Sequence, residues 1–423
     1  MNGMSIASVT AGTALVLSTV GAVAPASAAP IVRGGWGGGW AAAVQRPVPG
    51  NDFSGPNWSM EGFSGQTVRQ VVRLSRGGEQ VRVRLSNRYG DRPLRITGAT
   101  VAISADGAAL QPGTVRTLTF AGAPSTTIRA GRIGVSDQVR LPLPAPRSLT
   151  VTLYLAGPTG PATFHENGLT TTYRASGDHA ADVGSGVFAD ETSHSYYFLA
   201  GVDVRGRHGQ GTVVTFGDSI TDGHGSTPGA NHRYPDRLAE RLAAARRPLS
   251  VANAGIDGNL LLNELTPCFG EKGVTRFRRD VLQQPGVRAA IVLEGVNDLF
   301  ASEFDNGCGS TPRVSAAQLI TGYRALIGAA RTRGVRVVGA TLTPFKTPYL
   351  PTEMFERAEG IREEVNHWIR TSGEFDAVAD FDRALADPED ADRMRPAYDS
   401  GDGIHPNDAG YKAMAEAVDI GSL

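Results

Sequence analysis

The sequence predicts an α/β protein with an open parallel sheet, preceded by a domain that folds as an antiparallel β-sandwich. After Gly211, apolar strand candidates alternate with amphipathic helices, which is the pattern of a parallel sheet covered by helices. Between about Ser64 and Gly157, short strand candidates follow one another with Gly, Pro and Asp between them. The length of 423 residues also exceeds one ordinary core, because domains usually hold about 100–200 residues.

The N-terminal strands are indicated by alternation. The run "QVRVRLSN" alternates Val81, Val83 and Leu85 with polar residues, as a strand with one buried and one solvated face does. The preceding run "QTVRQVVRLS" is joined to it through "RGGE", which we interpret as a hairpin turn. Residues 158–201 are rich in Gly, Thr and Asp, and we assign them to the same domain.

The C-terminal half contains five strand candidates, "TVVTFG", "LSVANAG", "AAIVLEG", "VRVVGATLTP" and "FDAVADF". Helices are predicted at "YPDRLAERLAAARR", where Pro235 lies in the first turn, and at "SAAQLITGYRALIGAARTRG", "EMFERAEGIREEVNHWIRTSG" and "NDAGYKAMAEAV". In an open parallel sheet, binding sites form beyond the carboxyl ends of the strands. We therefore expect the functional residues directly after these strands.

The N-terminus carries the pattern of an export signal. An apolar stretch from about Val9 to Val23 is followed by an A-x-A pattern at residues 26–28, which predicts a signal peptide over residues 1–28. No Lys or Arg precedes Arg33, so the usual basic start is missing, and a disordered or membrane-anchored N-terminus is the alternative. No other stretch reaches the roughly 18 apolar residues of a spanning helix. We predict a secreted protein without stable membrane insertion after signal cleavage.

We predict that the rest of the chain forms two domains, a β-sandwich domain at residues 29–205 and an α/β domain at residues 206–423.

The formal net charge of -1 gives no electrostatic reason to expect nucleic acid as a partner. The two cysteines, Cys268 and Cys308, lie in polar, glycine-bearing segments. In an exported protein, an even count in such segments favours a disulfide over two free thiols.

Four short motifs follow the predicted strands or precede the last helix. These are "GDS", "NAGIDGN", "EGVND" and "DGIHP". Because the carboxyl ends of parallel strands meet at one edge, the motifs are expected to share a single pocket. The candidate site residues that they contribute are Ser219, Gly258, Asn297, Asp402 and His405.

Each of these residue types suits a part of acyl transfer. His405 is able to accept the hydroxyl proton of Ser219, since imidazole titrates near ~6.5. Asp402 is placed three residues earlier to hold the opposite ring nitrogen. The Ser219 and Gly258 amides and the Asn297 side chain are candidate donors to a developing oxyanion. Taken alone, Ser219 is explained first as the cap of the following helix, and the other motifs favour the catalytic interpretation.

Together, the four motifs resemble the SGNH hydrolases, also called the GDSL lipase and esterase family, over residues 212–418. The resemblance implies a flavodoxin-like three-layer fold with Ser219 as nucleophile and oxyanion donor. It also implies Gly258 and Asn297 as the other donors, and His405 with Asp402 as the rest of the triad. The stretches "GGWGGGWAAAVQRP" and "TVRQVVRLSRGGEQVRVRLSNRYG" resemble the β-domain that precedes the catalytic domain in some bacterial secreted members.

Several neighbouring residues compete for these roles. Gly255 is a rival of Gly258, and Asp399 is a rival of Asp402, whose DxxH spacing is preferred. Asp218 is interpreted as a second helix cap or as an organiser of its turn, and Asp298 as an organiser of its loop. His224 and His232 follow the serine in the same loop, where surface positions are favoured over the border of the pocket, and His165 belongs to the β region. No GxSxG motif occurs, which excludes the classical α/β-hydrolase.

The predicted reaction is hydrolysis of a carboxylic ester, with a small-molecule, glycan or lipid ester as substrate. Leu260, Leu261 and Leu262 line an apolar acyl groove in one interpretation and are buried in the other. A carbohydrate esterase with the β-domain as a sugar-binding module is an alternative, although its tryptophans are also consistent with a core. A non-catalytic binding protein is a second alternative. We expect no cofactor and no metal, since no histidine or cysteine pair has ligand spacing.

Overall fold

The computed structural model describes residues 1, 35–51, 54–144, 146–206, 211–303, 307–348 and 350–423. Apart from Met1, the predicted export signal lies outside the described residues, as do residues 207–210 beside the predicted domain boundary. That boundary stays a prediction, and the described residues from 35 onward form one compact unit. Among the described residues, no helix is both long enough and apolar enough to cross a membrane.

The N-terminal part is built almost entirely of short strands. They are β1 (Gly37–Ala41), β2 (Gln66–Leu74), β3 (Gly78–Asn87), β4 (Leu94–Ile96), β5 (Gly98–Ile103), β6 (Arg116–Thr117), β7 (Thr126–Ile128), β8 (Arg132–Val135), β9 (Val139–Leu143), β10 (Arg147–Leu155), β11 (Phe164–His165), β12 (Thr172–Ser176), β13 (Glu191–Ser193), β14 (Tyr196–Tyr197) and β15 (Leu199–Arg205). One 3₁₀ turn spans Gly186–Phe188.

Two antiparallel sheets form the predicted β-sandwich. One has the order β1-β15-β3-β8, with β9 also paired to β3, and the other has the order β13-β12-β2-β10-β5-β6. The alternation in β3 buries Val81, Val83 and Leu85 completely, in the same core as Val68 and Val72 of β2. Two inward faces therefore share one apolar core, as in other sandwiches.

The predicted hairpin through "RGGE" is wrong. Strand β2 pairs with β10 and β12, whereas β3 pairs with β15, β8 and β9. The turn therefore carries the chain from one sheet to the other. Alternation indicates that a run is a strand with one buried face, but it does not specify the neighbour, because both sheets require the same pattern.

The C-terminal part contains the five predicted parallel strands, in the order β17-β16-β18-β19-β20. This is the flavodoxin-like 2-1-3-4-5 order. The strands are β16 (Gly211–Gly217), β17 (Leu249–Gly255), β18 (Val287–Leu293), β19 (Arg336–Ala340) and β20 (Ala377–Ala379), and a separate hairpin is formed by β21 (Ala386–Asp387) and β22 (Asp390–Met394). Every residue of β16 is buried, as expected for the middle of a covered sheet.

Helices connect these strands. They are α1 (Ser219–Asp222), α2 (Tyr234–Ala244), α3 (Gly273–Phe277), α4 (Val296–Phe300), α5 (Ala316–Arg331), α6 (Thr352–Thr371), α7 (Phe381–Leu385) and α8 (Asp408–Ala417). A π-helical turn follows α3 at Arg278–Leu282, and the chain ends in a 3₁₀ turn at Ile420–Ser422. Helix α5 begins with a capping box of Ser315 and Gln318, which satisfies amides that have no partner within the helix.

The sandwich packs directly against the α/β part through β1 and β17. The amide of Gly38 donates to Thr212 Oγ1 at 2.9 Å, and Arg84 donates to Gln284 at 2.7 Å. The packing brings loops of the β-sandwich close to the carboxyl edge of the parallel sheet.

Candidate active site

Ser219 lies where β16 passes into α1. Asp218 is the N-cap of this one-turn helix, because its carboxylate accepts a hydrogen bond from the amide of Ile220 at 3.0 Å. Ser219 is the first helical residue and is 5% exposed. The capping function therefore belongs to the aspartate, which leaves the serine hydroxyl available for other contacts.

The Ser219 hydroxyl is hydrogen-bonded to His405, and His405 to Asp402. Ser219 Oγ lies 2.8 Å from His405 Nε2, and His405 Nδ1 lies 2.6 Å from Asp402 Oδ2. The other oxygen of Asp402 accepts the amides of Ile404 and His405, both at 2.8 Å. Burial alone would raise the pKa of Asp402, but hydrogen bonds and charge from His405, together with these amides, hold it well below its usual range. Asp402 is therefore ionised and orients the imidazole.

Two groups from other loops lie beside this serine. Gly258 has a φ of +68°, and a Cβ atom there would lie 2.1 Å from the ring of Phe269, so only glycine fits. Among the described residues, none accepts a hydrogen bond from the Gly258 amide. Asn297 Nδ2 donates to the carbonyl of Asn259 at 2.9 Å, which uses one of its two hydrogens. Gly258, Asn297 and Ser219 line one cavity, so the structure brings together all five predicted residues.

The cavity has a volume of about 760 Å³. One wall is apolar and comes from the α/β part, while the other comes from the sandwich at residues 48–51 and Glu166. The apolar wall consists mainly of Leu260, Leu265, Pro267, Phe269, Val296, Phe300 and Ala301, with Cys268 and Cys308. Of the three leucines considered from the sequence, Leu260 lines the cavity and Leu261 belongs to the core. The two cysteines form the expected disulfide, which joins the loops after β17 and β18.

The rivals of Gly258 and Asp402 lie elsewhere. Gly255 is the last residue of β17, where a Cβ atom would lie 2.3 Å from the amide of Asp222. The Asp399 carboxylate accepts the amides of Gly401 and Gly403, so it closes the loop before α8. Asp402, not Asp399, contacts the histidine.

The other histidines occupy three different settings. The ring of His224 lies 4.4 Å from that of His405, so the partly exposed His224 borders the site. His232 pairs with Asp408 at 2.7 Å. His165 belongs to the sandwich but is buried against the α/β part, a position that its sequence context did not indicate.

Behind Ser219 lies a buried cluster of carboxyl groups around Arg276. Arg276 donates to the Gly217 carbonyl at 2.8 Å and to Glu294 at 3.2 Å, so it ties the ends of β16 and β18. Burial raises the pKa values of Asp218 and Asp298 to about 7. Asp298 accepts the amides of residues 261 and 262 and organises that loop as predicted. No sequence motif marked Arg276, because an isolated arginine has no recognisable pattern.

Two groups of described residues place potential metal-ligating atoms within 4.8 Å of one another. The first is His224, Asp402 and His405, of which the last two already bond to each other. The second is Glu359, Glu363 and Asp392, where Glu359 is paired with Arg362. The expectation that the chain needs no metal or cofactor stays a prediction.

The fold and the site define the class of this protein. A flavodoxin-like 2-1-3-4-5 parallel sheet carries a hydrogen-bonded serine, histidine and aspartate at its carboxyl edge, which is the arrangement of a Ser-His-Asp triad on a doubly wound fold. Residues 215–413 match the model of the GDSL-like Lipase/Acylhydrolase family, so this part of the chain is a domain of that family. No curated protein matches the chain.

Solved structures similar to the chain include three named hydrolases. An aryl esterase from M. smegmatis is 17% identical, with 49% of this chain and 95% of that chain covered and a TM-score of 0.38. A carbohydrate acetylesterase from Sinorhizobium meliloti has the same identity and coverage, 17%, 49% and 95%, with a TM-score of 0.37. A GDSL-like lipase from Bacteroides thetaiotaomicron is 16% identical, with coverage of 49% and 84% and a TM-score of 0.35.

Proposed function

We propose that this protein is an exported serine hydrolase that cleaves carboxylic esters through an acyl-enzyme on Ser219. The observation that carries the proposal is the hydrogen-bonded series from Ser219 Oγ to His405, 2.8 Å, and from His405 to Asp402, 2.6 Å. This series opens into a cavity large enough for a small ester.

The first step follows from the protonation states. Because Asp402 is ionised, His405 Nδ1 carries the proton of that hydrogen bond and Nε2 is the acceptor. Nε2 takes the hydroxyl proton while Ser219 Oγ attacks the ester carbonyl carbon. The carbonyl π electrons move to oxygen, and the product is a tetrahedral oxyanion beside an imidazolium that Asp402 stabilises.

The oxyanion is stabilised by the Gly258 amide, the second hydrogen of Asn297 Nδ2 and the Ser219 amide. A donor aimed at the developing charge contributes about 3 kcal/mol to catalysis. The tetrahedral intermediate then expels the alcohol, which takes the proton from His405 Nε2. Water, deprotonated by the same nitrogen, attacks the acyl carbon of the acyl-enzyme and forms a second tetrahedral intermediate. The bond from that carbon to Ser219 Oγ then breaks, Oγ takes the proton back from His405 Nε2, and the carboxylic acid is released.

The apolar wall of the cavity supports a hydrocarbon acyl group as ligand. Leu260, Phe269 and Phe300 offer contact surface near the serine, and the disulfide closes this side. A series of p-nitrophenyl esters from acetate to palmitate tests how long a chain the cavity accepts. A maximum at two to six carbons would separate a short-chain esterase from a lipase.

The catalytic proposal is tested by labelling with a fluorophosphonate and by p-nitrophenyl acetate turnover. Wild-type protein is expected to be labelled on Ser219 and to turn over the ester, and Ser219→Ala to do neither. The alternative of a non-catalytic binding protein requires that wild-type protein shows no labelling and no turnover. Turnover that survives in Ser219→Ala would overturn the mechanism.

Export is part of the proposal. It is supported by the A-x-A pattern at residues 26–28 and by the Cys268–Cys308 disulfide, because stable disulfides are typical of oxidising compartments. Mass spectrometry of the native protein is expected to find an N-terminus at Ala29 and a non-reduced peptide linking the two cysteines. An intact N-terminus in the culture medium, or free alkylation of both thiols, would contradict it.

A further inference from the structure

The sandwich contacts the site through three consecutive residues, His165 to Asn167. His165 Nε2 lies 3.1 Å from Asp222 Oδ1, one turn after the serine. Asn167 Nδ2 donates to Asp257 Oδ2 at 2.9 Å, directly before Gly258. Glu166 lies between these two contacts and lines the cavity together with Ser219 and His405.

Glu166 is held firmly in this position. Its amide donates to the Gln45 side chain at 3.0 Å, and its carbonyl accepts from the Ser195 hydroxyl at 2.6 Å. Carboxylate oxygen Oε1 accepts from Asn51 Nδ2 at 2.9 Å and from Ser54 Oγ at 2.7 Å. The residue is only 6% exposed. Such fixed backbone and side-chain contacts are typical of a pre-organised binding group.

The second carboxylate oxygen of Glu166 has no such partner. Among the described residues, none donates a hydrogen bond to Oε2. Asp257 also lines the cavity, and its Oδ1 is buried without a hydrogen-bond partner among the same residues. Oε2 of Glu166 therefore belongs to a residue that lines the cavity and is an acceptor that no described residue uses, so it is available to a ligand that donates a hydrogen bond.

We propose that Glu166 is a substrate-binding residue that accepts a hydrogen bond from a hydroxyl group in the alcohol part of the ester. The inference rests on the proposed esterase function and narrows its substrate to esters of polyols or sugars. The sandwich then forms one wall of the site and does not act as a separate sugar-binding module.

The polarity of the two walls assigns the two parts of the ester. The α/β wall around Leu260, Phe269 and Phe300 suits hydrocarbon, whereas the sandwich wall adds the polar groups of Glu166 and Asn51 to the apolar Val48 and Pro49. A hydroxyl donor fits better than an ammonium group, because burial raises the pKa of Glu166 and disfavours its charge. A hydroxyl group forms a hydrogen bond with either protonation state of the carboxyl.

The test compares two acetate esters that differ only in hydroxyl groups, glycerol 1-monoacetate and propyl acetate. Wild-type kcat/KM is expected to be at least about tenfold higher for the glycerol ester, since a site that binds a hydroxyl group discriminates against its absence. Glu166→Ala is expected to reduce this ratio to near one. Glu166→Gln keeps the size and one acceptor, and is expected to give an intermediate ratio with the loss mainly in KM.

Glu191→Gln is the matched control, because Glu191 is an exposed glutamate of the same sandwich, on β13. It is expected to keep the wild-type ratio. A wild-type kcat/KM ratio near one, or equal losses of kcat/KM for both esters in the Glu166 variants, would overturn the inference. The esterase proposal would still stand in that case if turnover depends on Ser219. Absence of turnover of either ester and of fluorophosphonate labelling would overturn both.

Discussion

His165 Nε2 lies 3.1 Å from Oδ1 of Asp222, with both side chains buried where the sandwich meets α1. His165 Nδ1 lies 2.8 Å from the carbonyl oxygen of Ala43. A carbonyl oxygen only accepts, so Nδ1 carries a hydrogen. The hydrogen bond between His165 Nε2 and Asp222 Oδ1 then requires one further proton, carried either by the ring or by the carboxyl group. Burial opposes a charged ring, but the charge and hydrogen bond of Asp222, together with the hydrogen bond to Ala43, outweigh it and raise the pKa of His165. Burial also raises the pKa of Asp222, so the two groups share the proton.

His165→Leu is expected to destabilise the protein by about 3–5 kcal/mol, because it leaves Asp222 buried without its partner. The measurement is the free energy of urea unfolding. Asp222→Asn and the double variant complete a thermodynamic cycle, and a coupling above about 1 kcal/mol is expected for groups in direct contact. If the effects of the two single variants on the free energy of unfolding simply add, the interaction between His165 and Asp222 contributes nothing to stability.

Asp402→Asn is expected to lower kcat by about 10²–10⁴-fold, because the amide no longer stabilises the imidazolium and favours the wrong tautomer. The control is Asp399→Asn, the neighbouring aspartate, whose contacts are loop amides. It is expected to stay within about threefold of wild type in p-nitrophenyl acetate turnover. Equal losses of kcat in the two variants would show that turnover depends on the loop conformation and not on the Asp402 carboxylate.

Asn297→Ala is expected to lower kcat by about 10²–10³-fold with a smaller change in KM, because an oxyanion donor acts mainly in the transition state. Asn297→Asp keeps the shape but lacks the N–H donors, so its kcat is expected to fall at least as far. Both variants also lose the hydrogen bond to the Asn259 carbonyl. Thermal unfolding therefore accompanies the kinetics, and activity that falls only in proportion to folded protein would argue against the donor role.

Asp218→Asn is expected to change the pH dependence of stability. The folded-state pKa is about 7, and the unfolded value is about 3.9. Between these values the folded protein holds a proton that the unfolded chain has lost, so this group's contribution to stability falls as the pH rises from about 4 to 7. Asparagine does not titrate and caps helices equally well.

Asp218→Asn is therefore expected to be more stable relative to wild type at pH 8 than at pH 5. A pKa that differs by one between the folded and unfolded states corresponds to about 1.4 kcal/mol. The free energy of unfolding of Asp218→Asn, relative to wild type, is therefore expected to be at least about 1 kcal/mol higher at pH 8 than at pH 5. Urea unfolding of both proteins at the two pH values measures it. An unchanged difference would mean that Asp218 is ionised throughout.

Much of the architecture follows from local patterns. The apolar runs predicted all five parallel strands, and the motifs after β16, β17 and β18 lie at their carboxyl ends as the fold rule requires. The pairing of β2 and β3 was predicted wrongly, because alternation specifies a buried face and not a neighbour. His165 and Glu166 have no motif of their own, since their roles depend on a contact between distant segments.

The sequence by itself determined the fold class and the candidates Ser219, Gly258, Asn297, Asp402 and His405, because strand ends and residue chemistry are local properties. Only the tertiary structure decided that Leu260 alone of its three leucines lines the cavity, and that the sandwich supplies Glu166 to the site. Those outcomes depend on how two separately patterned regions pack, and packing joins residues that are far apart in the chain.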